Sequence, residues 1–226
     1  MSFTDTHLPC EACGSSDALC VNDNGSTKCF SCGDFKKGTS TSAIEMPIMA
    51  ETPQPKQSFD AIENLLTTGN YKAIPERGIT TATAKKYGVM HNADKTYFSY
   101  HAPDDANIPI AAKIRQHDKQ FSVIGEWRST GLFGQHLFSK GGKTVTITEG
   151  EFDAMAVFQM QGYKYPAVSV KNGAAGALKD CKKHFQWIDS FEEIIICFDA
   201  DEPGTKAAKE VAKLFGDKAK IMKHVK

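Results

Sequence analysis

The 226-residue sequence has no long hydrophobic run; none approaches the roughly 18 apolar residues that a membrane-spanning helix needs. Its N-terminus, MSFTDTHLPC, has neither the basic start nor the apolar stretch of a secretory signal. Those two absences predict a soluble chain kept in the cytoplasm. Net charge is missing too: 27 basic residues balance 27 acidic ones, so no bulk field draws in a polyanion. The imbalance by segment is small, −3 over residues 1–59, +2 over 60–142 and +1 over 143–226. Any nucleic-acid surface must therefore be local, and the first segment cannot rely on bulk electrostatics. Seven cysteines are too few for a disulfide-dense miniprotein, and 41% hydrophobic with 24% charged residues excludes collagen and a disordered tail. The length corresponds to about one and a half typical domains.

What cysteine there is lies at one end. Cys10, Cys13, Cys29 and Cys32 form two C-x2-C pairs separated by fifteen residues, the spacing of a four-thiolate zinc site. Two residues between thiols allow a knuckle turn to aim both sulfurs at one ion, and two knuckles complete a tetrahedron. Gly14 and Gly33, each directly after a pair, suit such turns. Two disulfides are the alternative, but nothing indicates export, so the thiols stay reduced. With four protein ligands the zinc would be structural, and residues 1–35 would be a ribbon whose folding is coupled to metal binding. Cys20 and His7 read as bystanders, Cys181 and Cys197 as small core residues.

Residues 36–58 are rich in Thr, Ser and Pro without helical or strand period, and read as a flexible linker. From residue 59 a small mixed α+β subdomain is expected to 142. FDAIENLLTTG and RGITTATAKKYG read as short helices, and YFSYHA, IPIAAKIRQ and QFSVIGEW as three strands of a meander. Lys113, Arg115, Lys119 and Arg128 cluster there on what would be a sheet edge, either a solvated face or a binding surface.

Residues 143–226 alternate strand and helix. TVTIT, YPAVSV, EIIICF and AKIMKHV are strand patterns; EGEFDAMAVFQMQG, NGAAGALKDCKKHFQWI and EPGTKAAKEVAKLFG are helical. That alternation predicts a parallel sheet with helices on both faces, and in such sheets chemistry sits at the carboxyl ends of the strands. The acids fall there: Glu149 after the first strand, Asp199 and Asp201 after the third. In an extended segment Asp199 and Asp201 would project to one side, repelling each other unless a cation lies between them. Oxygen donors of this kind prefer magnesium or manganese. Glu149 and Asp153 would share a face if the helix began at Gly150; helix-dipole stabilisation is the alternative for the acids of that turn.

TEGEFDAM, followed about fifty residues later by ICFDADEPG, resembles the paired motifs of the Toprim fold. Together with the N-terminal ribbon, the linker, RGIT…KKYGV and KIRQHDKQF, the order along nearly the whole chain resembles the primase half of T7-like phage primase-helicases. The resemblance implies template-directed synthesis of short RNA primers on single-stranded DNA from ribonucleoside triphosphates, in an infected cell's cytoplasm. It implies Glu149 as general base or metal ligand, Asp199 and Asp201 holding magnesium or manganese, and Asp153 in support. Lys113, Arg115, Lys119 and Arg128 would bind nucleotide and template. The zinc ribbon would help read the template; Phe30 and Phe35 would either stack on bases or form its core.

The same resemblance implies a further acid after the strand that follows the Asp-x-Asp helix, and none follows AKIMKHV before Lys226. No Walker lysine loop occurs either. The expectation is a fragment of a longer polypeptide, weakly active alone, with its replicative helicase fused or separate. Two rivals share parts of the pattern. RecR-like proteins pair a four-cysteine module with a Toprim domain and bind DNA without synthesis, and a Toprim nuclease would use the same acids to cut.

Overall fold

The computed structural model describes residues 3–12, 15–23, 25–32, 34–36, 62, 68–92, 95–105, 107–118 and 120–223. Cys13, Lys119 and residues 37–58 of the expected linker lie outside them, as does most of FDAIENLLTTG, of which Ile62 and Thr68 are helical. The chain divides into two units, Met1–Thr52 and Pro53–Lys226.

The first unit holds an antiparallel sheet in sequential order: β1 (Phe3–Leu8), β2 (Leu19–Asn22), β3 (Thr27–Cys29) and β4 (Phe35–Lys36). So small a sheet has little to bury; Cys10, Cys20 and Cys29 are its buried apolar side chains among the described residues. Phe30 and Phe35 are both more than half exposed, so neither belongs to a core.

The second unit contains two four-stranded sheets. The antiparallel one runs β5 (Val89–Asn92), β6 (Lys95–Tyr100), β7 (Ala111–Arg115), β8 (Phe121–Gly125) in order. It has one strand more than the sequence pattern predicted. VMHN is too short to show a period, and it forms because Gly88, at φ 67°, turns the chain back from α1 (Thr81–Lys86) onto β6. β7 lies between β6 and β8, so the cluster containing Lys113 and Arg115 sits on an interior strand and not, as expected, on an edge.

The parallel sheet has the order β10-β9-β11-β12, from β9 (Gly142–Thr148), β10 (Ala167–Ser169), β11 (Phe191–Cys197) and β12 (Ala219–Ile221). Alternation along β9 explains its two-sided burial. Val145 and Ile147 join the core beneath α3 (Gly173–Lys183), α4 (Phe185–Ile188) and α5 (Glu202–Phe215). On the other face, Ala154, Met155 and Phe158 of α2 (Glu151–Met160) join Tyr87, Phe98, Tyr100 and Phe133 in a second, aromatic core. Helices thus cover both faces. The stretch expected as one helix over 172–188 breaks at His184, whose backbone leaves helical geometry (φ −105°, ψ 20°). The two sheets share the aromatic core, and the Tyr87 hydroxyl donates to the Ala167 carbonyl of β10 at 2.8 Å. Among the described residues no helix is long and apolar enough to cross a membrane.

Candidate active site

β9 and β11 are neighbours in register, with Thr148 opposite Cys197. Their carboxyl ends therefore release Glu149 and Asp199 side by side. Glu149 Oε2 accepts from the Asp199 backbone N–H at 3.4 Å, and its Oε1 from that of Ala174 in α3 at 3.2 Å. Burial raises the Glu149 pKa, the amides of Ala174 and Asp199 oppose that, and the charges of Asp199 and Asp201 add to the rise. Asp199 is exposed.

The helix after β9 begins one residue later than expected. Gly150 is extended (φ −114°, ψ 156°) and is the N-cap, so Glu149 lies outside α2 and does not share a helical face with Asp153. Asp153, three residues on, reaches back and accepts from the Gly150 N–H, the carboxylate half of a capping box. Its pKa is raised by burial and then by Asp199, while Arg77 draws it down.

The Asp-x-Asp segment also differs from a straight extended pair. Asp201 caps α5, its Oδ1 accepting from Gly204 N–H at 2.8 Å, so one of its carboxylate oxygens is committed to the helix end. A Cβ at position 204 would stand 2.4 Å from the Asp199 carbonyl oxygen, and this is why glycine ends that turn. Among the described residues, the carboxylates of Glu149, Asp153, Asp199 and Asp201 include no three whose oxygens all lie within 4.8 Å of one another. They line one rim without closing on a point.

Facing that rim is a cleft of about 260 Å³, lined by Arg77, Arg115, Phe121, Phe152, Asp153 and Asp199, with Phe98, Gly150 and Glu151. The guanidinium carbons of Arg77 and Arg115 both lie 5.3 Å from the centre of the Phe152 ring, which holds two like charges near each other. Arg77 ends the 3-10 turn Pro75–Arg77, closed by Gly78 at φ 64°. Gln159 of α2 fixes that turn, donating to Gly78 O at 2.8 Å and accepting from Thr80 N and the Thr83 hydroxyl.

The expected cations separate into different environments. Arg115 enters the cleft. Lys113, two residues earlier on the same face of β7, is tied to Glu151 Oε1 at 2.7 Å, with side chains 17% and 7% exposed. The same oxygen accepts from the Tyr100 hydroxyl at 2.7 Å. Arg128 is exposed on the 3-10 turn Trp127–Ser129 and does not line the cleft. Lys119 is outside the described residues.

In the first unit, the sulfurs of Cys10, Cys29 and Cys32 lie within 4.8 Å of one another, and Cys10 and Cys32 are 3.9 Å apart. Thiolates around a tetrahedral zinc, with bonds of about 2.3 Å, stand about 3.8 Å apart. Backbone amides of Cys32 and then Ser31 point at the Cys29 sulfur, and against burial they lower its pKa to about 7. A cluster of this geometry can hold a metal ion.

Residues 146–225 match the Toprim-like family. A DNA helicase/primase of Enterobacteria phage T3 is 36% identical over 211 residues, covering 92% of this chain. A crystal structure of the primase fragment of the bacteriophage T7 primase-helicase superimposes with a TM-score of 0.61 at 32% identity, covering 97% of this chain and 90% of that one. The chain belongs to the primase family of T7-like phage primase-helicases. A second T7 structure, of lagging-strand DNA polymerase interacting with primase domains of two gp4 subunits bound to an RNA/DNA hybrid and dTTP, matches with a TM-score of 0.60 at 38% identity. It covers 68% of this chain and 79% of that one. The chain spans 37% of the length of the T3 helicase/primase.

Membership in the primase family came with the linear motifs; several members of the site did not. Arg77 sits in RGIT, a segment that carries the family resemblance and starts a helix pattern, but nothing local marks its side chain as a cleft residue. Phe152 looks like one more apolar helix position. Glu151, read as a helix-dipole acid, is instead the buried counter-ion of Lys113.

Proposed function

We propose that this chain is a primase, joining ribonucleoside triphosphates into short RNA primers on single-stranded DNA in the cytoplasm of the infected cell. The reading rests on one observation above all. Asp199, at the carboxyl end of β11 and beside Glu149 at that of β9, lines with Asp153 a cleft walled by two arginines, in a chain of the phage primase family. An acid rim alone would suit cutting as well as joining. Cations across from it suit a polyphosphate substrate.

In this reading Arg115 and Arg77 take the oxygens of the triphosphate and offset its charge, since positioning dominates phosphoryl transfer. Phe152 keeps their guanidiniums together. Lys119 and Arg128 serve nucleotide and template, and Lys113, paired with Glu151, adds a cation behind Arg115 on the same strand. Glu149, its pKa raised, accepts the proton of the attacking 3′-hydroxyl. The new bond joins that 3′-oxygen to the α-phosphorus, the bond from α-phosphorus to the bridging oxygen breaks, and pyrophosphate leaves. Glu149, Asp199 and Asp201, with Asp153 in support, would hold a divalent cation, magnesium or manganese. Bound there, such an ion supplies Lewis acidity that lowers the 3′-hydroxyl pKa and neutralises the attacked phosphate. The donor set fits this, since carboxylate oxygens are what a hard cation takes, and beyond the larger effect of burial the charge of Asp199 adds to the raised pKa of both Glu149 and Asp153. Zinc would be held by Cys10, Cys13, Cys29 and Cys32 and keep the ribbon folded, with Phe30 and Phe35 exposed for stacking on template bases. A replicative helicase, fused or separate, is the natural partner.

The test is incubation with labelled triphosphates, magnesium and single-stranded DNA. Short RNA products are expected. Shortened DNA would mean a nuclease, and tight DNA binding with neither product a RecR-like role.

A further inference from the structure

One buried cation takes no part in the site as described. Lys171 lies two residues past the carboxyl end of β10, on the same rim of the sheet as Glu149 and Asp199, and is 5% exposed. Burial lowers its pKa to about 8. Among the described residues no carboxylate forms an ion pair with its ammonium, although the charge of Asp180 opposes that lowering; the group is spent on a neighbouring turn. Nζ donates to Trp127 O at 2.9 Å, to the Thr130 hydroxyl at 2.8 Å and to Thr130 O at 3.4 Å, and it lies 4.8 Å from the centre of the Trp127 indole. A second lysine reaches the same turn from the end of α3: Lys183 Nζ donates to Arg128 O and, at 3.3 Å, to Thr130 O. The backbone carbonyls of Trp127, Arg128 and Thr130 are thus all taken by ammonium groups from the parallel-sheet half.

The remaining polar groups of Lys171 are also committed. Its N–H donates to the buried carboxylate of Asp180 at 2.8 Å, and its carbonyl accepts from Lys113 Nζ at 3.3 Å. One residue therefore touches the side chain of Lys113 and the backbone that carries Arg128. A buried, desolvated ammonium costs free energy wherever it sits, and a core lysine with no carboxylate partner is a poor way to stabilise a fold. What it achieves here is placement. The Arg128 side chain is exposed, and its backbone carbonyl is held by Lys183.

We infer that Lys171 is a positioning residue: it clamps the Trp127–Thr130 turn to the rim of the parallel sheet and so sets where the Arg128 guanidinium meets the incoming nucleotide or template. This rests on the primase reading, and on Arg128 acting there. Lys183 is the outer half of the same clamp.

The test uses the full chain with Lys171→Met, which keeps side-chain length and removes the donors. Amides of Ser129, Thr130 and Gly131 are hydrogen-bonded within or beside the turn. Their hydrogen exchange is expected to quicken at least tenfold in the variant, with β9 and β11 unchanged. The KM for ribonucleoside triphosphate is expected to rise about tenfold with kcat within twofold. Since Lys171 acts through Arg128, that rise should vanish when Lys171→Met is made in an Arg128→Ala background. Lys171→Arg should recover part of the loss, and Lys183→Met, an exposed change that leaves the fold intact, should give a smaller rise in the same KM. Unchanged exchange at the turn, or a KM effect that persists in full without Arg128, overturns the inference alone. An Arg128→Ala variant with wild-type KM removes the reading of Arg128 and the inference with it.

Discussion

Lys113 is the residue on which a sequence-based role and the structure diverge most, and its substitution gives the clearest number. Its ammonium is 2.7 Å from Glu151 Oε1, and the Glu151 side chain is 7% exposed. Lys113→Met leaves that carboxylate with the Tyr100 hydroxyl as its remaining side-chain donor. Removing one partner of a buried pair costs about 3–5 kcal/mol, because the other charge stays in low dielectric. In a unit the size of Pro53–Lys226, where each kcal/mol moves the midpoint by about 2–4 °C, Tm should fall by roughly 6–20 °C. Adding Glu151→Gln should return about 2 kcal/mol, since a neutral amide can still accept from Tyr100 and no stranded charge remains. Calorimetry of the wild type, both single variants and the double variant measures this. A Lys113→Met chain melting within 2 °C of wild type, with no recovery in the double, would show that the ammonium is not committed to Glu151. Lys113 would then be free for substrate.

Three further outcomes follow from the same geometry. Arg77→Ala should raise the KM for triphosphate about tenfold with little change in Tm, because the side chain is exposed and lines the cleft; steady-state primer synthesis reads both parameters. If zinc holds the ribbon together as proposed, Cys29→Ser or a strong chelator should unfold the first unit, since binding of roughly 10–16 kcal/mol is the folding energy of such ribbons. The second transition, from Pro53–Lys226, should stay where it was. His101, His136 and His184 have pKa values lowered by burial to about 4, 3 and 4. The unfolded chain binds their protons near 6.5 and the native one does not, so stability should decline as pH drops from 6.5 towards 4, and titrated melting curves should show that slope.

How much could be read in advance depended on sequence distance. The parallel sheet was legible because strand and helix periods alternate over residues 143–226, each a local pattern within one stretch of chain. Its rim was legible because strand ends are local features: Glu149 directly follows the alternating strand TVTIT, and Asp199 the apolar run IIICF. Partners set by topology were not. Lys113 meets Glu151 across 38 residues, Tyr100 meets Glu151 across 51, and Lys171 reaches Trp127 across 44. No periodicity encodes those pairs. For the same reason the pattern left Lys113 as either a solvated or a binding cation and assigned the Arg77 side chain no role. Misjudged boundaries had backbone causes: extended Gly150 delayed α2 by one residue, and His184 broke a run that the pattern read as one helix.

The central claim is that the acids at the ends of β9 and β11 jointly hold the divalent cation used in nucleotide joining. Electron paramagnetic resonance of manganese titrated into the full chain tests it without reference to turnover. The wild type should bind manganese, magnesium should displace it, and Glu149→Gln and Asp199→Asn should each weaken binding at least tenfold while leaving Tm within about 2 °C. Undiminished manganese affinity in both variants would contradict the account.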